Sequence, residues 1–376
     1  MKSYPFLDLK TLNSPLENEL KQAACRVIES GRYISGENVA AFELELAELC
    51  QTTHAVAVSN GLDALRLILQ AYKEMGRLAD GDEIIVPANT YIASFLAVTA
   101  CGLKPVFAEP SPETMNLDLD GIERLITTRT RGIMPVHLYG SPCWDDKLAE
   151  IARSRSLLVV EDNAQAIGAA ADTPGLNGTT ATGSLGHAAA VSFYPTKNLG
   201  ALGDAGAVTT DDPDLAGAVR ALANYGAPRR YHNLYQGFNC RMDEIQAAML
   251  RVKIKHTARE NELRASVAAT YAREISHPLV TTPQIFPGTR QVWHQYVLQV
   301  ADGERDRLRR HLADNGVGTD IHYPTPPHLQ PCYAAYSTLS LPVAERLSRS
   351  VVSIPIAHIT PDDARHISGV INSFPA

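Results

Sequence analysis

Ser192-Phe193-Tyr194-Pro195-Thr196-Lys197-Asn198, followed by Leu199-Gly200-Ala201-Leu202-Gly203-Asp204-Ala205-Gly206, decides how the rest of the chain is read. Ala188 to Val191 before it and Ala207 to Thr210 after it are short apolar runs of strand composition, so Lys197 falls on a turn between two buried strands. Taken alone, a loop lysine is a solvated ammonium. A second segment changes that reading. Leu157-Leu158-Val159-Val160-Glu161-Asp162-Asn163-Ala164-Gln165 is an apolar strand ending in an acid and an amide, and ligands of open α/β sheets sit at the carboxyl ends of strands.

Asp162 and Lys197, 35 residues apart, form the pair that a pyridoxal phosphate (PLP) site requires. The amine bonds the cofactor aldehyde, and the carboxylate keeps the ring nitrogen protonated so that the ring accepts electrons. With these residues in view, the chain resembles the nucleotide-sugar aminotransferases of the DegT/StrS type, a family of fold type I PLP enzymes. The resemblance runs from Pro5-Phe6-Leu7-Asp8-Leu9 to Asn372-Ser373-Phe374. It implies an α/β fold with a mostly parallel central sheet sandwiched by helices, plus a smaller C-terminal α+β domain.

Composition sets the outer limits. At 376 residues the chain exceeds the roughly 250 to 300 at which one core stops growing, so two domains are expected, 1–250 and 251–376. A hydrophobic content of 45% and 34 basic against 41 acidic residues describe an ordinary globular protein with no nucleic-acid footprint. The six cysteines show no Cys-x-x-Cys spacing and suggest neither metal nor disulfides. The N-terminus is not a secretory signal, because Asp8 and Lys10 break any apolar run. Residues 84–103 are free of charge over membrane-spanning length, but Pro87, Asn89, Thr90 and Ser94 argue for a strand, a polar turn and a buried helix. A cytoplasmic protein without a membrane partner follows.

Strands and helices alternate from His54 to Asp162, the pattern of a parallel sheet covered on both faces. Expected elements include a helix capped by Ser14-Pro15-Leu16-Glu17 and ended by Gly31, a helix over 119–126 and a strand over 133–137. Asp243 to Ile275 reads as one long helix, kinked or broken. A strand near 295–300, one over 317–321, and loops at 283–288 and 323–331 complete the smaller domain.

The resemblance assigns site residues one by one. Ser59-Asn60-Gly61-Leu62-Asp63 joins a strand to a helix, and the backbone N–H groups of Gly61 and Leu62 are assigned to the cofactor phosphate. Ser192 matches the phosphate-binding hydroxyl, and Asn239 matches an asparagine that reaches the neighbouring subunit's phosphate, which implies a homodimer with shared sites. Cys240 stands where that motif usually has a small polar residue. Tyr91 matches the aromatic that stacks on the pyridine face, Asp162 the partner of the ring nitrogen, and Gln165 the partner of the ring hydroxyl. Without the resemblance, Tyr91 reads as core and Asp162 as a helix cap.

The segments Pro5 to Lys10, Asn60 to Arg66, Tyr194 to Asp204 and Ile321-His322-Tyr323-Pro324 look most like the branch that makes dTDP-3-amino-3,6-dideoxyhexoses. In that branch Tyr194 and His322 hydrogen-bond the hexose and L-glutamate donates the amino group. The implied setting is deoxyamino-sugar biosynthesis for a surface polysaccharide such as lipopolysaccharide O-antigen, or for a glycosylated natural product. Amination at C4, another ketone, and a non-catalytic PLP-binding sensor stay open here. Histidine replaces the lysine in dehydrating relatives, and Lys197 argues against that chemistry.

Overall fold

The computed structural model describes residues 2–285 and 288–375. Residues 286 and 287 of the expected 283–288 loop lie outside the described residues. The larger half contains β1 (His54–Val58), β2 (Glu83–Pro87), β3 (Lys104–Ala108), β4 (Thr130–Ile133), β5 (Leu158–Asp162), β6 (Ala170–Ala171), β7 (Ala188–Ser192) and β8 (Gly206–Thr210). Its helices are α1 (Leu9–Asn13), α2 (Glu17–Ser30), α3 (Glu37–Cys50), α4 (Gly61–Glu74), α5 (Ala93–Ala100), α6 (Asp146–Ser154), α7 (Pro213–Ala223) and α8 (Glu244–Lys253). After α9 (Thr257–Glu274) come β9 (Val280–Thr281), β10 (Thr289–Arg290), β11 (Tyr296–Val300), α10 (Arg305–Asp314), α11 (Pro342–Ser350), β12 (Val351–Ile354) and α12 (Pro361–Asn372).

Seven strands form the central sheet in the order β1-β8-β7-β5-β4-β2-β3. β7, β5, β4, β2 and β3 pair in parallel, while β8 is antiparallel to both its neighbours. Side chains alternate across each strand, so one sequence feeds two cores. Val56 and Val58 pack with Leu65, Ile68 and Tyr72 of α4 and Val219 of α7. Ala55 and Ala57 face the other way, against Phe42 and Leu46 of α3 and Leu250 of α8. Further along that second face, Ile85, Ile133 and Val159 meet Leu148 and Ile151 of α6.

The second core joins β11 and β12 to α9, α10 and α12 through Leu298, Val352, Ile354, Tyr271, Leu312 and Ile367. Tyr4, near the start of the chain, belongs to it and pairs with Val317. The long helix expected from Asp243 is broken by a 3-10 turn at Ile254–His256 between α8 and α9.

Four local expectations are corrected. Asp8, not Ser14, starts the helical region: its carboxylate accepts from Lys10 N and Thr11 N, while Ser14 Oγ donates to Thr11 O at 2.9 Å. The helix over 119–126 shrinks to a 3-10 turn at Ile122–Leu125, because Asp118 gathers Asp120 N and Gly121 N into a tight turn before it. β4 ends at Ile133 and does not reach His137; Pro135 lacks the N–H that the ladder needs, and only a single bridge, Val136 to Asp162, lies beyond. Residues 317–321 make single bridges, Tyr4 to Val317 and Asp320 to Ser353, and no strand.

Candidate active site

The carboxyl ends of β1, β2, β5 and β7 converge, and each carries an expected site residue. β5 ends in Asp162, which is 6% exposed. Its Oδ2 accepts from Ser94 Oγ at 2.7 Å, and its Oδ1 from Ala164 N at 3.2 Å. Burial pushes the Asp162 carboxyl up, and the Ser94 hydroxyl, the Ala164 N–H and the charge of Lys197 work against that rise. Lys197 follows β7 on a turn closed by Lys197 N donating to Tyr194 O at 2.8 Å. Burial pushes the Lys197 amine down to about 8, with the Asp162 carboxylate opposing. Each group thus disfavours its charged form, and each restrains the other's shift.

Behind Asp162, Glu161 is fully buried and accepts from Gly183 N, Gly186 N and His137 Nε2 at 2.8 to 2.9 Å. His137 Nδ1 accepts from Cys143 N at 2.9 Å, which fixes the proton on Nε2. This network anchors the end of β5 and hence the direction of Asp162.

The β1 to α4 junction lies against the end of β7. Asn60 caps α4 by accepting from Asp63 N, and among the described residues no acceptor takes Gly61 N or Leu62 N. A Cβ on Gly61 would stand 2.7 Å from Ser192 Cβ, so the residue must be glycine for the two segments to meet. Cys240, unexplained by sequence, is buried beneath this junction: its carbonyl accepts from Ser59 N at 2.9 Å, and Arg66 reaches its sulfur at 3.8 Å. Asn239, beside it, is exposed and bridges to Asn224.

Gln165 is buried and fully oriented. Its Oε1 accepts from Tyr139 N at 2.7 Å, and its Nε2 donates to Tyr323 Oη at 3.0 Å. Tyr139 Oη donates to His322 O, so the His322-Tyr323 segment from the second half is tied to the sheet. His322 Nδ1 meets Ser353 Oγ at 2.8 Å, leaving Nε2 facing Asp320 at 3.9 Å. Burial lowers the His322 imidazole, with Asp320 opposing. Tyr91 is 57% exposed and leans on Tyr323 with ring centres 5.5 Å apart; Tyr194 is 51% exposed.

The structure therefore brings Gly61, Ser192, Asp162, Lys197, Gln165 and His322 to one end of the sheet, whereas Asn239 is exposed and its side chain makes no hydrogen bond among the described residues. Ser94, Tyr139, Tyr323 and His294 are the residues that sequence reading missed. His294 is buried and held well below the usual imidazole range by burial and by the charges of Lys197 and Arg264. Its Nδ1 meets Asn198 Oδ1 at 3.2 Å. Ser94 and Tyr323 stand close in sequence to Tyr91 and His322, but the groups they bond, Asp162 and Gln165, lie 68 and 158 residues away, and no spacing pattern marks those pairings.

Proteins of known structure share this fold. The S. venezuelae DesV structure in complex with a ketimine intermediate superposes with a TM-score of 0.93, at 43% identity, covering 99% of this chain and 98% of that one. The dTDP-3-amino-3,6-dideoxy-alpha-D-galactopyranose transaminase of Aneurinibacillus thermoaerophilus is 43% identical over 98% of this chain and 99% of its own length. The erythromycin biosynthesis sensory transduction protein EryC1 of Saccharopolyspora erythraea is 44% identical over 98% of this chain and 99% of its own. The family model described as DegT/DnrJ/EryC1/StrS aminotransferase matches residues 15–372, and the chain belongs to that family.

Proposed function

We propose that this protein is a PLP-dependent aminotransferase that converts a dTDP-3-oxo-6-deoxyhexose into the dTDP-3-amino-3,6-dideoxyhexose, with L-glutamate as donor. The observation that carries the reading is the buried Asp162 carboxylate beside the depressed Lys197 amine, at the strand ends that also hold the Gly61–Ser192 cradle. These residues fit the cofactor. Gly61 N, Leu62 N and Ser192 Oγ offer donors to a phosphate, Asp162 offers a buried anion to a pyridinium, and Tyr91 leaves a ring face uncovered.

When bound, PLP supplies an aldehyde for the amine and a ring that takes up electron density. Lys197 Nζ, neutral at a pH where an ordinary lysine is charged, takes the proton from the donor's α-carbon and later delivers one to C3 of the sugar. Asp162 would hold the ring-nitrogen proton, and the Ser94 hydroxyl favours the ionised form of that carboxylate and orients it. The second Nε2 hydrogen of Gln165 serves the ring hydroxyl, since the first is spent on Tyr323. Tyr194 and the Nε2 of His322 hydrogen-bond the hexose.

The sugar and nucleotide are supported by the relative from Aneurinibacillus thermoaerophilus, whose name carries that product. The reading also includes a homodimer in which Asn239 serves the partner's phosphate, a cytoplasmic location, and the division into 1–250 and 251–376. It further places the product in surface polysaccharide or natural-product glycosylation. Among the described residues no helix is long and apolar enough to cross a membrane.

The test offers dTDP-3-oxo and dTDP-4-oxo-6-deoxyhexoses separately with glutamate and identifies the product by NMR. The amine is expected at C3, with one 2-oxoglutarate released per sugar. An amine at C4 overturns the regiochemistry, and binding of both substrates without release of 2-oxoglutarate would favour a sensor.

A further inference from the structure

A cavity of about 400 Å³ lies behind the Lys197 turn, between the N-terminal helices and the α8 to α9 junction. Part of its wall is Asn198, whose Nδ2 donates to Asn261 Oδ1 and to Val292 O, both at 2.8 Å. Arg264 lines the same cavity with only 4% of its surface exposed. Its Nη1 donates to the carbonyls of Trp293 and His294 at 3.2 and 3.3 Å. Among the described residues only Nη1 of this guanidinium has a protein acceptor, and no carboxylate forms an ion pair with it.

A guanidinium stays charged in a protein, and a buried charge is normally paired. Arg264 is therefore a buried cation that no carboxylate bonds among the described residues; Glu260 in the same wall opposes its desolvation through longer-range attraction alone. Lys253 lines the same space, also without an ion pair or hydrogen bond to its amine among the described residues, and burial pushes that amine down to about 8. Arg259 adds a third cation and His256 a titratable ring, while Glu19 and Glu260 oppose them. Three cations against two carboxylates leave the walls net positive. The cavity shares no residue with the Gly61–Ser192 cradle.

We propose that this cavity binds a small oxyanion, a phosphate group or a carboxylate, between Arg264 and Lys253. The free edge of a guanidinium presents parallel N–H donors that match two oxygens of such a group, and an ammonium beside it adds a point charge. An occupant would stand one residue from Lys197, across Asn198. It would also relieve the unpaired charge of Arg264, so binding should stabilise the fold.

Titration calorimetry on the PLP-loaded protein, at constant ionic strength, tests this with inorganic phosphate, L-glutamate and dTDP as separate probes. Saturable binding of inorganic phosphate is expected, with the cofactor absorbance unchanged and the melting temperature raised. Lys253→Gln should weaken it by about tenfold or more, as loss of a charge-assisted contact requires. Arg264→Lys, which keeps the charge but not the fork, should weaken it similarly while circular dichroism stays native. Tighter binding of glutamate or of dTDP with the same dependence on Lys253 supports the site and names its source as a carboxylate or a nucleotide phosphate. No saturation by any of the three, or saturation undiminished in both variants, overturns the proposal.

Discussion

The Ser94 hydroxyl donates to Asp162 Oδ2 at 2.7 Å, joining the start of α5 to the end of β5 across 68 residues. A donor to a carboxylate stabilises its charged form, so this bond holds Asp162 below the value that burial alone would impose. Ser94→Ala should raise the Asp162 pKa further and move the acidic limb of the pH–kcat profile upward. The lost bond to a charged group corresponds to roughly tenfold or more in turnover at neutral pH. Ser94→Thr, which keeps the hydroxyl, should recover most of it; an unmoved acidic limb in Ser94→Ala would contradict the role.

Lys197 titrates near 8 instead of 10.5 because it is buried. Only the neutral amine attacks an aldehyde, so capture of PLP by the cofactor-free protein should accelerate about tenfold per pH unit up to about 8 and then level off. Asp162→Asn removes the carboxylate that raises the lysine, and the plateau should then begin at lower pH. Stopped-flow absorbance gives both profiles; a rate still climbing at pH 10 would show that the lysine is not depressed.

Gly61 has no room for a side chain, since a Cβ would come within 2.7 Å of Ser192 Cβ. Gly61→Ala should force the two segments apart and weaken PLP retention about five- to a hundredfold, the range of an overpacked contact. Equilibrium dialysis measures it. Ser192→Gly in the Gly61→Ala background should not restore retention, because it relieves the clash but deletes the proposed phosphate hydroxyl.

Tyr323 accepts from the buried Gln165 amide, and the same segment is tied down through His322 O. Tyr323→Phe leaves that amide donor without its partner, which costs about 1 to 3 kcal/mol. A lower denaturation midpoint and a raised KM for the sugar are expected together, and a fall in stability with KM unchanged would separate the segment from sugar binding.

Asn239 is exposed in the single chain and bridges to Asn224. If it serves the partner's site, mixing Lys197→Ala protein with Asn239→Ala protein should regain activity through hybrid dimers that contain one intact site. Proven subunit exchange without any recovery would rule out shared sites.

The sequence by itself determined the alternation of strands and helices, the glycine turn before α4, and the positions of Asp162 and Lys197 at strand ends. Those features follow from side-chain periodicity and turn chemistry, which act within a few residues of one another. Break points needed more. Val317 to Ile321 has strand composition, yet its neighbours offer only single bridges, and a strand exists only where a partner continues the ladder. Pro135 ended β4 before His137 because its missing N–H mattered only once β5 lay alongside. The antiparallel entry of β8, the Ser94 bond to Asp162 and the tie from Gln165 to Tyr323 were decided by tertiary structure alone. Each joins residues far apart in the chain, and whether such groups meet depends on how the layers pack, which no local pattern encodes.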